Sequence, residues 1–217
     1  MKRIDRSGRF IVLEGIDGSG TTTQSQRLEK RLRQEGYRVQ RTWEPTDRPV
    51  GKLIRRALMR QLSHRRKAYA LTNPTLALLF AADRLDHLHS EVLPALEDGK
   101  VVICDRYLLS SLAYQGIAVS PSWVEEINRF AIAPDLTLFL EVDPRIAARR
   151  RAKRGGAKEL FDATKLQARI AKRYQALVKK YRASQRVVRI DGTQSLDQVT
   201  AQALRHIHRA IGATMRP

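Results

Sequence analysis

One segment constrains this chain more than any other: Phe10–Gln24, FIVLEGIDGSGTTTQ. The apolar run Phe10–Leu13 reads as a buried strand, and Gly15–Gly20 punctuates its end. From about Thr22 to Glu35 the pattern is helical, with Leu28 and Leu32 four apart and Gly36 where a helix stops. A strand that runs into a glycine loop and then a helix suits phosphate. The glycines let the backbone curl so that successive N–H groups point inward, and the helix N-terminus adds the positive end of a dipole. In the pattern G-x-x-x-x-G-K-[ST], Gly15, Gly20 and Thr22 fill the glycine and hydroxyl positions, with Ile16, Asp17, Gly18 and Ser19 between. Thr21 stands in the lysine's place. It is neutral and too short to reach the β and γ phosphates as that lysine does. The plainer reading is a turn that only joins a strand to a helix; the strand–loop–helix context and the close spacing of Gly15, Asp17, Gly18 and Gly20 favour phosphate binding.

Short apolar runs alternate with amphipathic stretches along the rest of the chain. Strands are expected at Tyr37–Trp43, Val101–Cys104, Leu136–Val142 and Val187–Ile190. Helices are expected at Val50–Leu62, Thr75–Leu96 (capped by Thr72 or Asn73), Leu109–Tyr114, Ser122–Ala131, Pro144–Arg154, Asp162–Tyr181 and Leu196–Ile211. Unbroken apolar strands alternating with helices imply a mainly parallel sheet covered on both faces. The expected fold is therefore α/β, a P-loop NTPase-type three-layer α/β/α arrangement in one domain.

Composition narrows the partner class. Lys+Arg total 41 and Asp+Glu 22 over 217 residues, a formal net charge of +19. Such a balance attracts anions: nucleotides, nucleic acid or acidic headgroups. The single cysteine, Cys104, excludes an intramolecular disulfide and a Cys-rich zinc site. Apolar runs such as Leu138–Leu140 fall far short of the roughly 20 residues of a membrane span. Phe10–Leu13 is too short for a signal-peptide core. These features suit a cytoplasmic protein.

Five ordered stretches carry a resemblance: Leu13–Gly20, Glu44-Pro45-Thr46-Asp47-Arg48, Leu79-Phe80-Ala81-Ala82-Asp83-Arg84, Asp105-Arg106-Tyr107 with Ser110–Gln115, and Pro134–Leu140. From Phe10 to about Val199 the chain resembles the thymidylate kinases, which move the γ-phosphate of ATP to dTMP and so supply dTTP synthesis. The resemblance implies ATP and dTMP as substrates, Mg²⁺ as cofactor and a homodimer. It implies that Phe80 stacks on thymine and Arg84 hydrogen-bonds it. Phe80 and Arg84 are four apart, so they project from one helix face. Asp105 follows a buried strand, at the end where open α/β sheets place their ligand crevice. The resemblance puts it near Mg²⁺ with Thr22, and Arg106 on the transferring phosphates. Asp17 is implied to contact the dTMP sugar and orient the acceptor, Arg48 to grip the acceptor phosphate, and Tyr114 and Gln115 to close around sugar and base. Plainer readings stand beside these: Phe80 as a core aromatic, Asp105–Arg106 as a structural pair, Tyr114 as a packed helix residue.

A lid is expected at about residues 149–162, where Arg149, Arg150, Arg151, Lys153, Arg154 and Lys158 surround Gly155-Gly156. Glycines give hinge freedom, and closure excludes water. The resemblance assigns Arg150 to the adenine side and Arg154 to the transferring oxygens. It is degraded at Glu159-Leu160-Phe161-Asp162, where Leu160 takes an arginine's place. One of Arg106, Arg151 or Arg154 is expected to substitute for the missing lysine. Other classes remain: a nucleotide-binding homologue without catalysis, a kinase for another deoxynucleotide, or a nucleic-acid binder. Basic runs at Arg48–Lys67 and Lys172–Arg189 could track a phosphate backbone. They lack interleaved aromatics, and solvated helix faces are the better account of them.

Overall fold

The computed structural model describes residues 7–64, 67–155, 160–161, 163–184 and 186–212; within them, the side chains of 63, 64, 67, 68 and 154 are not described. Five strands form the central sheet: β1 (Arg9–Glu14), β2 (Val39–Trp43), β5 (Val101–Asp105), β6 (Leu136–Glu141) and β7 (Val187–Asp191). Their order is β2-β5-β1-β6-β7, and every pairing is parallel. A two-residue antiparallel hairpin, β3 (Ser63–His64) with β4 (Lys67–Ala68), stands apart. The sequence pattern did not anticipate it, because two-residue strands carry no periodicity to read.

Alternation along the strands builds two cores. Phe10 and Val12 of β1 with Val102 and Cys104 of β5 belong to one cluster, while Ile11, Leu13, Val101 and Ile103 belong to the other. The second core is closed by α1 (Thr21–Gln34) and α9 (Leu196–Ile211), through Leu28, Leu32, Ala203 and Ile207. The first is closed by α4 (Leu93–Glu97), α5 (Leu108–Tyr114) and α8 (Thr164–Tyr181), through Leu96, Leu112, Ile170 and Tyr174. The three-layer α/β/α expectation holds, and the sheet is parallel throughout.

The remaining helices are α2 (Pro49–Leu58), α3 (Asn73–His87), α6 (Pro121–Ile127) and α7 (Pro144–Arg154). Thr72 is the N-cap of α3, its hydroxyl accepting from the Thr75 N–H at 3.3 Å. The continuous helix expected over Thr75–Leu96 is interrupted by a π turn at Leu88–Val92. Pro94 explains it. Proline offers no N–H to the carbonyl four residues back, and its ring crowds that carbonyl. The backbone widens, and the Leu93 N–H bonds Leu88 O, five residues back. Gly36 and Gly99 follow their helices at φ +88° and +71°, as their positions predicted. No described helix is long and apolar enough to cross a membrane.

Candidate active site

A cavity of about 1210 Å³ opens at the C-terminal ends of β1, β2 and β5. It takes in the glycine loop on one side and α3 on the other.

The loop is shaped by contacts that the sequence spacing did not reveal. Gly18 and Gly20 adopt φ +88° and +100°. A Cβ on Gly18 would lie 2.5 Å from Ala147 O and 3.1 Å from Arg151 Cγ. Glycine there admits the backbone of α7 against the crown of the loop as well as permitting the left-handed φ. Ser19 N–H bonds Ile16 O at 3.0 Å, closing the turn between them. Thr21 opens α1 and lines the cavity.

Three hydrogen bonds from two residues, Arg106 and Gln167, hold Asp17. Arg106 Nη2 donates to its Oδ1 at 2.6 Å, and Gln167 Nε2 donates to its Oδ2 at 2.6 Å. The Asp17 N–H donates in turn to Gln167 Oε1 at 3.2 Å. Arg106 also donates to Gly15 O at 2.8 Å and to the Tyr114 hydroxyl at 3.3 Å. Its backbone is left-handed at φ +70°, sparsely populated by non-glycine residues, and its N–H bonds Leu13 O at 2.9 Å. That bond extends the β1–β5 pairing by one rung, and the guanidinium reaches the loop at Gly15 O.

Asp105 ends β5. Its Oδ2 accepts from Thr22 Oγ1 at 2.6 Å, while its buried Oδ1 has no hydrogen-bond partner among the described residues. An unsatisfied buried carboxylate oxygen is costly and needs a partner. A hydroxyl and a carboxylate at the cavity are the hard oxygen donors that Mg²⁺ takes, with phosphates and water completing its shell. The residues therefore fit that ion. Among the described residues no group of three or more His, Cys, Asp or Glu could hold a metal.

Beneath the loop lies Glu14, fully buried. Its carboxylate accepts from the N–H groups of Tyr107 and Ser110, each at 3.1 Å, and from the hydroxyls of Ser110 (2.5 Å) and Tyr174 (2.9 Å). Burial nevertheless pushes its pKa above the ordinary value, against the pull of those donors and of the Arg106 charge.

The α3 side is a network of buried side chains. Arg84 donates to Glu44 Oε2 at 2.7 Å, to Ser111 Oγ at 3.0 Å and to Asn128 Oδ1, and its guanidinium lies 5.0 Å from the centre of the Tyr107 ring. The neighbouring Asp83 accepts from Thr46 N–H at 2.8 Å and Thr46 Oγ1 at 2.6 Å, so α3 fixes the segment after β2. Phe80, half-buried, and Arg84 both line the cavity, as do Tyr114 and Gln115; Gln115 Oε1 is buried without a partner among the described residues.

A family model described as "Thymidylate kinase" matches residues 13–203. The chain belongs to the thymidylate kinase family. A thymidylate kinase of Halalkalibacterium halodurans is 40% identical over 213 residues, 94% of this chain and 98% of its own. A probable thymidylate kinase of Pyrococcus abyssi is 43% identical over 178 residues, 81% of this chain and 85% of its own. A putative thymidylate kinase of Treponema pallidum is 36% identical over 203 residues, 91% of this chain and 94% of its own.

Set against this thymidylate kinase fold, most residues singled out in the sequence converge. Asp17, Gly18, Gly20, Thr21, Thr22, Phe80, Arg84, Asp105, Arg106, Tyr114, Gln115 and Arg150 all line the one cavity, whereas Gly15, Ile16 and Ser19 supply loop backbone behind it. Arg48 is not brought in. Its Nε pairs with Asp86 at 2.6 Å, and it is absent from the lining. The first turn of α2 accounts for this: Arg48 is the N-cap residue, at the start of the helix. Arg55, two turns on, lines the cavity instead. It donates to Pro45 O, lies 3.3 Å from Asp47, and has a buried Nε without a partner among the described residues. Of the lid, residues 156–159 and 162 and the Arg154 side chain lie outside the described residues. Leu160 donates its N–H to Leu58 O at 3.0 Å, and Phe161 meets Tyr114 edge-on at 5.4 Å. Gln167 also escaped sequence reasoning. Its signal was a polar residue on the same α8 stripe as Ile170 and Tyr174, three and seven positions on.

Proposed function

We propose that this chain transfers the γ-phosphate of ATP to dTMP, giving ADP and dTDP for dTTP synthesis. The observation that carries the reading is the single cavity joining the glycine loop and the Thr22–Asp105 oxygen pair to the Phe80–Arg84 face of α3. Phosphoryl transfer asks mainly for positioning and charge neutralisation. ATP phosphates would lie against the loop N–H groups and the N-terminus of α1. Arg150, whose Nη1 reaches Ser19 O at 3.5 Å, suits the adenine side. Thymine would stack on Phe80 and meet Arg84 and Gln115, with Tyr114 crowding a 2′-hydroxyl. Arg55, rather than Arg48, suits the acceptor phosphate. Asp17, tied to Arg106 and Gln167, orients the acceptor and that arginine. It need not take a proton, because a phosphate monoester is largely ionised near neutral pH.

Mg²⁺ would be held at Thr22 and Asp105, where it would neutralise phosphate charge during transfer. Arg106 lies between the loop and the dTMP side and suits the transferring oxygens; Arg154 is the lid residue assigned the same task. We also propose a homodimer working in the cytoplasm, which light scattering on the purified chain tests for assembly.

The deciding assay follows ADP release with ATP·Mg²⁺ and dTMP, with dUMP, dCMP and dGMP as competing acceptors. The expected result is turnover that prefers dTMP. Turnover at background while both nucleotides bind would overturn the reading.

A further inference from the structure

The loop lacks its lysine, and the structure offers a replacement from a different element. Thr21 lines the cavity at the start of α1, so the position that normally carries a fixed positive charge is neutral. Among the described residues, three cations approach the loop. Arg106 is engaged by Asp17, by Gly15 O and by the Tyr114 hydroxyl. Arg150 lines the cavity too, but its Nη1 reaches the loop only at Ser19 O, at 3.5 Å. Arg151 donates Nη1 to Asp17 O within the loop itself, and it also lines the cavity.

Arg151 is delivered there by packing. Ala147 and Arg151 are four apart on α7, one turn, so they share a face. That face sits on Gly18, where a Cβ would run into Ala147 O and Arg151 Cγ. The missing Cβ brings the helix close enough for a guanidinium stem to cross the loop crown. A cation carried on the helix that covers the loop can reach phosphates from above, where a lysine on α1 would reach them from below.

We propose that Arg151 supplies, from α7, the phosphate-directed positive charge that a lysine at position 21 would supply from α1. This rests on the kinase reading above, and the test separates the two. A guanidinium presents several donors in a planar fork that matches phosphate oxygens, and it is always charged.

The experiment compares the wild type, Arg151→Met, Thr21→Lys and the double variant. Methionine keeps much of the stem without the charge. Arg151→Met is expected to lower kcat about 100-fold or more, the scale of losing one preorganised donor. Calorimetric binding in EDTA is expected to show ATP affinity falling several-fold more than ADP affinity. Thr21→Lys in the Arg151→Met background is expected to recover at least about tenfold in kcat. Thermal unfolding verifies that each variant is folded; should Arg151→Met not fold, Arg151→Gln takes its place.

Wild-type turnover in Arg151→Met, or equal losses for ATP and ADP, would overturn the proposal. So would a folded double variant that recovers nothing. Should the wild type fail to phosphorylate dTMP, the kinase reading falls, and the ATP-against-ADP difference alone decides whether Arg151 serves the loop.

Discussion

Arg84 and Arg106 line the same cavity and are held in opposite ways. Arg84 is 1% exposed and its guanidinium is anchored on three side chains, Glu44, Ser111 and Asn128. Arg106 reaches its position through a left-handed backbone, bonds a loop carbonyl, and pairs with an Asp17 that keeps 28% of its side chain exposed. The α3 side is a preformed wall in which charges are buried only because each is paired. The loop side is backbone curl plus cations that hold carbonyls, contacts that the proposed function has them exchange for phosphate oxygens. A recognition face gains from rigidity, and a transfer site gains from cations that can change partner.

Breaking the wall should show in stability first. Arg84→Met takes from the buried Glu44 its arginine partner and leaves it, among the described residues, only His87 Nδ1 at 3.2 Å, and is expected to cost about 3–5 kcal/mol in urea unfolding. A loss below about 1 kcal/mol would mean that the wall is not held by that pair. Asp17→Asn tests the other side. Its pair with Arg106 is partly exposed, so unfolding should change by under about 1 kcal/mol. Turnover should nevertheless fall roughly 100-fold, because acceptor and arginine lose their common anchor. Equal damage to stability and rate in both variants would erase the distinction.

The two arginines of the α2 region sharpen the dTMP side. Arg55→Ala is expected to raise the KM for dTMP roughly tenfold or more, the worth of a charged hydrogen bond. Arg48→Ala, whose partner Asp86 lies outside the cavity lining, should change it less than about twofold. The reverse order would restore Arg48 to the site.

The smallest effect concerns pH. Burial raises the Glu14 pKa from its ordinary 4.5, so the folded chain holds that proton longer than the unfolded chain. Its contribution is therefore present below about pH 4.5 and is lost as pH rises through the raised value. In urea titrations across that window, Glu14→Gln should show a shallower fall of stability with rising pH than the wild type. An identical slope would place the Glu14 pKa at its unfolded value.

The sheet was legible because its strands are nearly continuous apolar runs that must be covered on both faces. The loop was legible because glycine spacing reports backbone curvature directly. Thr21 stood out for the same reason, as a departure from a spacing rule. Arg48 was assigned from its place after Glu-Pro, but a helix begins there, and two turns of α2 decide which arginine faces the cavity.

The sequence by itself determined the parallel α/β frame, the phosphate loop and its missing lysine, and the family, because these depend on local order and spacing. Tertiary structure alone decided the partners. It set Gln167 against Asp17 across 150 positions, joined Glu14 to Tyr174 across 160, and laid α7 on Gly18 so that Arg151 meets the loop. Contacts at such separations depend on how helices pack over the sheet, and no periodicity in one chain encodes which polar side chains will face each other.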